Sequence, residues 1–447
     1  MRGKNGKRVA SSAREAALMV LLDWQRRGAW SDSALPGVIR AAGLSPRDAA
    51  LASRLCYGVQ QNLLLLEFWL NELSSVPASR MEEPVRLSIL LGLYQMAFLE
   101  RIPARAAVDE SVELSRRWSR NPRSPGLTNA ILRAFDRKRD AMPEPPSLSV
   151  RYSHPRALVD LLAGELGHDR AELEELLRVD NSQPPTTIQT NPLRTTPQEL
   201  SARLQEEGVS VQAHAWLPGC FTVTGTGDLE QLESFRDGLF QVQDAAARLA
   251  VLAAGPEPGM RVLDACAAPG GKSFQAAMEM RDRGEILACD LHGNKLSRLE
   301  QGARRLGIGC IATRAMDARQ FSPELEGHFD LLLTDVPCSG LGIIRKKPDI
   351  RYKDLAPLEK LPAIQLEILS NAARYVRPGG CLLYATCTVL RRENEAVIAA
   401  FLAHTPEFHL EPFTLPGLGQ CPGQRTLWPH RHQTDGFFMA KLRKCDD

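Results

Sequence analysis

From residue 261 onward the chain repeats one pattern: a short apolar run with the character of a buried strand, then a turn, then a helical stretch. The runs fall at 261–264, 286–290, 308–313, 329–335 and 381–386. Strands separated by helices are joined by crossovers, so the alternation predicts a mainly parallel sheet with helices on both faces. Ligands bind such sheets beyond the carboxyl ends of the strands. The functional residues are therefore expected just after each apolar run.

The rest of the chain reads differently. With 447 residues it is too long for a single core and calls for two or three domains. Residues 12–140 run as helix after helix. Ser12 and Glu15 have capping-box spacing, and Ser45-Pro46 has the form of an N-cap and first helical turn. The prolines of Met142-Pro-Glu-Pro-Pro146 end this pattern, because proline lacks the amide donor and restricts its neighbour. Beyond them, helical runs alternate with short strands at 186–190, 209–215, 221–224 and 239–242. The expected layout is an all-α domain over 1–141, a small α+β segment over 147–250 and an α/β Rossmann-like domain over 251–447.

Composition narrows the class. No apolar run has the roughly 18–20 residues of a membrane span, and the basic N-terminus lacks the apolar core of a signal peptide, so a cytoplasmic location is expected. The ten cysteines include no CxxC pair and do not interleave with histidine at zinc spacing. No metal site is expected, and most of the thiols read as core filler. The formal charge of +2 hides a gradient: residues 1–140 hold 22 Lys and Arg against 14 Asp and Glu, whereas 141–250 hold 8 against 16. An Arg-rich N-terminal region suits a polyanionic partner.

Two regions carry the chemistry. The segment Val262-Leu-Asp264-Ala-Cys266-Ala267-Ala268-Pro269-Gly270-Gly271-Lys272-Ser is a strand, a glycine turn and a helix start, and it fits neither the dinucleotide nor the P-loop pattern. The next strand ends in Asp290, suited to two ribose hydroxyls, and the third connection carries Asp317, suited to an adenine amino group. The fourth strand ends in Asp335-Val-Pro337-Cys338, and the fifth in Thr386-Cys387 followed by Arg391-Arg-Glu-Asn394. Two thiols and a carboxylate thus converge on one sheet edge. Cys266, Cys289, Cys310 and Cys381, in or beside apolar strands, are expected to be packing residues. Lys272 and Arg391 could supply the cationic setting that an attacking thiolate needs.

These segments resemble the bacterial RNA 5-methylcytosine methyltransferases of the RsmB (Sun/Fmu) type, which act on 16S ribosomal RNA. The likeness rests on LDACAAPGGK (263–272), DVPCSGLGIIRKKPDIRY (335–352), YATCTVLRRENEAV (384–397) and TDGFFMAKL (434–442). The helical region, with Ile102-Pro-Ala-Arg-Ala and Gly126-Leu-Thr-Asn-Ala, is similar to a NusB-like RNA-binding domain, and Tyr152-Ser-His-Pro155 to its junction motif. The resemblance implies that S-adenosylmethionine (SAM) contacts Cys266, Ala267, Ala268, Pro269, Gly270, Gly271, Lys272, Asp290, Asp317 and Asp335. It implies that Cys387 is the nucleophile, that Cys338 assists product release and that Asp335 steadies the base. A thiolate adding to carbon 6 of cytosine would turn carbon 5 into a nucleophile able to take a methyl group. Arg345, Lys346 and Lys347 are expected to meet RNA phosphates, and the protein is expected to act as a monomer.

Two other readings are weaker. In DNA cytosine methyltransferases the Pro-Cys thiol attacks and no Thr-Cys thiol exists, whereas here Glu393-Asn394 follows Cys387. A non-catalytic RNA-binding factor would not need an intact cofactor loop, three acids and both thiols.

Overall fold

The computed structural model describes residues 9–28 and 31–446; the basic start of the chain, residues 1–8, lies outside them. The chain forms two compact units, Met1–Ser182 with Ile344–Lys353, and Gln183–Ile343 with Asp354–Asp447. These units do not coincide with the three segments drawn from the sequence. Residues 147–182 go with the helical unit, and so does a ten-residue excursion taken from the segment that follows Cys338.

The first unit is all-α, as expected. Its helices include Ala13–Arg27, Pro46–Gln61, Glu83–Phe98, Ala104–Trp118 and Ser124–Lys138. Ser12 caps the first by accepting the Glu15 amide, and Ser45 caps Pro46–Gln61 by accepting the Asp48 amide. Glu83–Phe98 buries residues all round its circumference, which makes it the central helix of the core.

The excursion is fastened to this unit by Arg351, which is 1% exposed. Its guanidinium donates to the carbonyls of Gln61, Tyr152, Ser153 and Asp180 and to Asn181 Oδ1, at 2.8–3.3 Å. Tyr352 adds hydrogen bonds to the carbonyls of Gln60 and Ser153, and Asp349 accepts the Ser31 amide. One arginine fork thus satisfies backbone acceptors on three separate stretches of chain. Beside it lies His154, fully buried; burial first, then the Arg351 charge, hold its imidazole down to about 4.

The second unit contains two sheets. The smaller is antiparallel, with β1 (Thr186–Thr190), β2 (Ser210–Ala213), β3 (Cys220–Thr224) and β4 (Phe240–Val242) in the order β2-β3-β1-β4. Its core joins Ile188, Phe221, Val223 and Phe240 to Leu200 and Leu204 of the helix Pro197–Glu206. Asn191 Nδ2 donates to the carbonyls of both Gly238 and Leu306 at 2.8 Å, tying this sheet to the end of the helix Gly293–Leu306. Gly238 is required there: at φ 71° a Cβ would sit 2.0 Å from the Arg305 carbonyl oxygen.

The larger sheet holds β5 (Arg261–Asp264), β6 (Glu285–Asp290), β7 (Ile311–Ala315), β8 (Phe329–Asp335), β9 (Val376–Thr386), β10 (Phe408–Leu410), β13 (Gln424–Leu427) and β14 (Phe437–Lys444). A short ribbon of β11 (Phe413–Leu415) and β12 (Gly419–Cys421) stands apart. The order β10-β14-β9-β8-β5-β6-β7 is parallel from β9 to β7, and β14 runs antiparallel to β9. From β5 the chain moves outward through β6 and β7, then returns to the other side for β8 and β9. The switch point lies between β5 and β8, where Asp264 and Asp335 end their strands. Among the described residues no helix is long and apolar enough to cross a membrane.

Two stability predictions follow from the Arg351 cluster. Arg351→Met orphans several buried acceptors at roughly 1–3 kcal/mol each, so a loss on the order of 3 kcal/mol is expected in urea unfolding. A loss below about 0.5 kcal/mol would contradict the clamp. His154 takes up its proton near pH 6.5 when unfolded and near 4 when folded, so the unfolded state binds more protons between those values. Stability is therefore expected to fall as pH drops from about 6.5 towards 4, and His154→Gln should flatten that decline.

Candidate active site

The loop after β5 is shaped by Gly270, at φ 112°. A Cβ there would lie 2.5 Å from the Phe274 ring and 2.9 Å from Leu299. The backbone of residues 265–271 therefore turns tightly into the helix Gly271–Glu279. Asp264, 1% exposed, accepts the Ser273 hydroxyl through Oδ2 at 2.7 Å, while Oδ1 is buried with no partner. Burial pushes its carboxyl up to about 6 against the pull of the Ser273 hydrogen bond and the Lys272 charge. An orphaned buried acceptor beside a glycine turn is the kind of atom that a cationic or N–H-bearing ligand would satisfy.

The other two acids differ from each other. Asp290 ends β6, largely buried, with Oδ1 accepting the His292 amide at 2.9 Å. Next to it Leu291 is 56% exposed, an apolar side chain at the sheet edge that the sequence reading did not single out. Its signal was available: an aliphatic residue directly after a strand-ending acid, where a cap or turn residue is the usual choice. Asp317 is already engaged, accepting Nε and Nη2 of Arg319 at 3.0 and 2.7 Å. That hydrogen-bonded pairing lowers its carboxyl below the ordinary range.

At the end of β8, Asp335 Oδ2 accepts the Lys272 ammonium. Burial works against the Lys272 charge, but Asp335, Asp264 and Cys387 together hold its pKa above the ordinary lysine value. The two expected thiols meet: Cys338 Sγ and Cys387 Sγ are 3.3 Å apart, each partly exposed. The hydrogen bond with Cys387, then burial, push the Cys338 thiol well up, and the charges of Cys387, Glu393 and Asp335 act in the same direction. Arg391 is exposed at the start of the turn that follows the Thr-Cys strand.

Glycines hold the loops together. Gly342 N donates to the Cys387 carbonyl at 3.0 Å, and Gly436 N donates to the Gly342 carbonyl at 2.8 Å. A Cβ on Gly342 would lie 2.0 Å from the Gly436 oxygen, so the Thr-Asp-Gly turn before β14 packs backbone to backbone on the Pro-Cys loop. Cys289 and Cys381 are buried, and Cys266 and Cys310 partly so, with all four thiols pushed up by burial. They are packing residues, with Cys266 also lying in the β5 loop.

Of the expected RNA contacts, Arg345 is 9% exposed and its Nε and Nη2 are buried without a partner. Lys347 pairs with Asp32 at 2.7 Å. Both belong to the excursion that groups with the helical unit.

Known proteins resemble this chain along nearly its whole length. Residues 251–443 match the family model described as 16S rRNA methyltransferase RsmB/F, residues 11–137 the NusB family, and residues 154–230 the ferredoxin-like domain of RsmF/B-like methyltransferases. The probable ribosomal RNA small subunit methyltransferase B of Synechocystis sp. is 36% identical over 97% of this chain and 100% of its own. The ribosomal RNA small subunit methyltransferase B of Klebsiella pneumoniae is 36% identical over 90% of this chain and 91% of its own. A solved structure titled PH0851 superposes with a TM-score of 0.78 at 27% identity, covering 98% of this chain and 100% of that one. With a relative this similar end to end, the chain belongs to the ribosomal RNA small subunit methyltransferase B family.

Proposed function

We propose that this SAM-dependent ribosomal RNA methyltransferase methylates carbon 5 of one cytosine in 16S ribosomal RNA, in the cytoplasm, through a covalent bond between Cys387 and carbon 6 of the base. The observation that carries this reading is the pair of sulfurs 3.3 Å apart with unlike surroundings. The Lys272 ammonium interacts with Cys387, whereas Glu393 and Asp335 disfavour ionisation of Cys338.

The residues of the β5 loop fit the cofactor. Residues 266–272 would hold its methionine end near the unsatisfied Asp264 Oδ1, Asp290 the ribose, and Leu291 one face of the adenine. Asp317 would serve the adenine amino group only by sharing its oxygens with Arg319. When bound, SAM supplies the methyl group. Cys387 adds to carbon 6 as the thiolate, which makes carbon 5 electron-rich. Asp335, held through Oδ2 by Lys272, offers Oδ1 to the base. After methylation carbon 5 gives up its proton to water, the carbon 6–sulfur bond breaks and the electron pair returns to Cys387. The Cys338 S–H, kept protonated, donates to the departing sulfur.

The test is a denaturing gel with unmodified 16S ribosomal RNA transcript. Cys387→Ala is expected to abolish methylation while SAM affinity stays within about threefold, because the thiol bonds to the base and not to the cofactor. Cys338→Ala is expected to accumulate a covalent protein–RNA band that vanishes in the Cys338→Ala/Cys387→Ala double variant. If Cys338 attacked, as in the DNA enzymes, Cys338→Ala would give no band, and the assignment would be reversed. Bisulfite mapping of ribosomal RNA from cells lacking the protein should show loss of one modified cytosine.

RNA phosphates are proposed as partners of Arg345, Lys346 and Lys347, supported by the partial exposure of Lys346 and Lys347; Nε and Nη2 of Arg345 are buried and lend no support. Each contact removed by alanine should reduce the slope of log affinity against log salt by about 0.7 on single-stranded RNA. An unchanged slope in the triple variant would discard the contact.

A further inference from the structure

The catalytic scheme above uses Glu393 only as a charge near Cys338 and gives its hydrogen bonds no task. Glu393 is 0% exposed, and its carboxylate has only neutral partners. Oε2 accepts the Ser339 amide and the Gln365 side-chain amide, both at 2.9 Å, and Oε1 is buried without a partner. A carboxylate kept out of water with half its acceptors unmet is costly, and the fold retains it against that cost.

What it holds is specific. Ser339 follows Cys338, and Gln365 also donates to the carbonyl of Pro337, which precedes Cys338, at 3.0 Å. Both neighbours of one thiol therefore lead to a single oxygen. The next residue, Asn394, treats the other thiol in the same way: Oδ1 accepts the Thr386 hydroxyl at 2.6 Å, and Nδ2 donates to the Thr388 carbonyl at 3.1 Å. A hydrogen bond of 2.7 Å between the Ser339 and Thr388 hydroxyls closes the frame. Finally, Tyr384 on β9 donates to the carbonyl of Glu393 itself at 2.6 Å, fixing the turn to the strand that carries Cys387.

We propose that Glu393 is a positioning residue of the reaction: through Oε2 it seats the Pro-Cys loop against the Thr-Cys strand end, and so keeps the Cys338 sulfur within hydrogen-bond reach of Cys387. The role rests on the assignment of the two thiols made above. It predicts a defect in a particular step. Attack by Cys387 needs the strand end, which Asn394 holds, whereas release needs Cys338 in place, which Glu393 secures. Loss of the carboxylate should therefore spare methyl transfer and slow escape of product. Glutamine should rescue, because an amide oxygen can replace Oε2 while the amide nitrogen occupies the place of the unpartnered Oε1.

The experiment compares single-turnover methyl transfer, multiple-turnover rate and the covalent band on 16S ribosomal RNA transcript. Glu393→Ala is expected to lower multiple turnover about tenfold, the equivalent of one lost buried hydrogen bond, and to accumulate the band. Single-turnover transfer and SAM affinity should stay within about threefold, and Glu393→Gln should turn over within about threefold of the parent with no band. Gln365→Leu, which removes a donor from the same oxygen without emptying the site, should show the same release defect and serves if Glu393→Ala does not fold. Equal losses in transfer and release would mark a merely structural role and overturn the proposal. A band in Cys338→Ala but in neither Glu393→Ala nor Gln365→Leu would overturn it alone. No band in Cys338→Ala would remove the thiol assignment and this inference with it.

Discussion

Parallel pairing of β8 with β9 sets Asp335 opposite Ala385, and the Val336 amide continues the ladder to the Ala385 carbonyl. Both chains then leave the sheet on the same edge, Cys338 three residues past Asp335 and Cys387 two residues past Ala385. Because side chains alternate, a slip of one residue would turn every side chain of either strand to the other face. The register is protected by burial on both faces: Leu331 and Leu333 pack in one apolar cluster, Leu332 in another, and Leu383 and Leu382 divide in the same way. Apolar packing of the central strands thus governs a distance between two sulfurs that lie outside the core.

The same packing explains why much of the site was legible in the sequence. Strands buried on both faces read as continuous apolar runs, and β5 and β8 were found at their observed limits for that reason. Where burial is partial, the limits drifted. Strand 308–313 is observed as Ile311–Ala315, because Gly307 closes the preceding helix at φ 72° and the next residues only turn back to the sheet. Strand 381–386 begins five residues earlier, at Val376, but Gly379 at φ 67° makes an irregularity there and regular pairing with β8 resumes only at Cys381. The strands from Phe408 to Leu427 are three or four residues long, too short to show a period.

Other features escaped because local sequence pointed the wrong way. The stretch Arg345-Lys-Lys-Pro-Asp-Ile-Arg-Tyr352 reads as a solvated basic loop, yet Ile350 and Arg351 are buried and the segment groups with the helical unit. An isoleucine and a tyrosine spaced by an arginine were the clue, and it was outweighed by charge. Glu393 sits in Arg391-Arg-Glu-Asn-Glu, which has the composition of an exposed helix start. Nothing in that composition distinguishes the carboxylate that is fully buried, because its partners come from residues 339 and 365.

The division of labour proposed for the thiols rests on how charge is distributed around them. Two sulfurs at 3.3 Å do not readily both ionise, since a second thiolate would meet the first at close range. Carboxylates at Glu393 and Asp335 disfavour a negative Cys338, while Lys272 stands by Cys387 and is itself stabilised as a cation. Asp335 takes part on both sides, neutralising part of the Lys272 charge while adding to the field at Cys338. Cys338 is therefore the thiol held in its protonated form. In the proposed scheme, once Cys387 is bound to carbon the Cys338 proton has no partner until the carbon–sulfur bond lengthens and charge returns to Cys387. The donor thus gains most as the bond breaks, which is how a fixed hydrogen bond favours a transition state over the state before it.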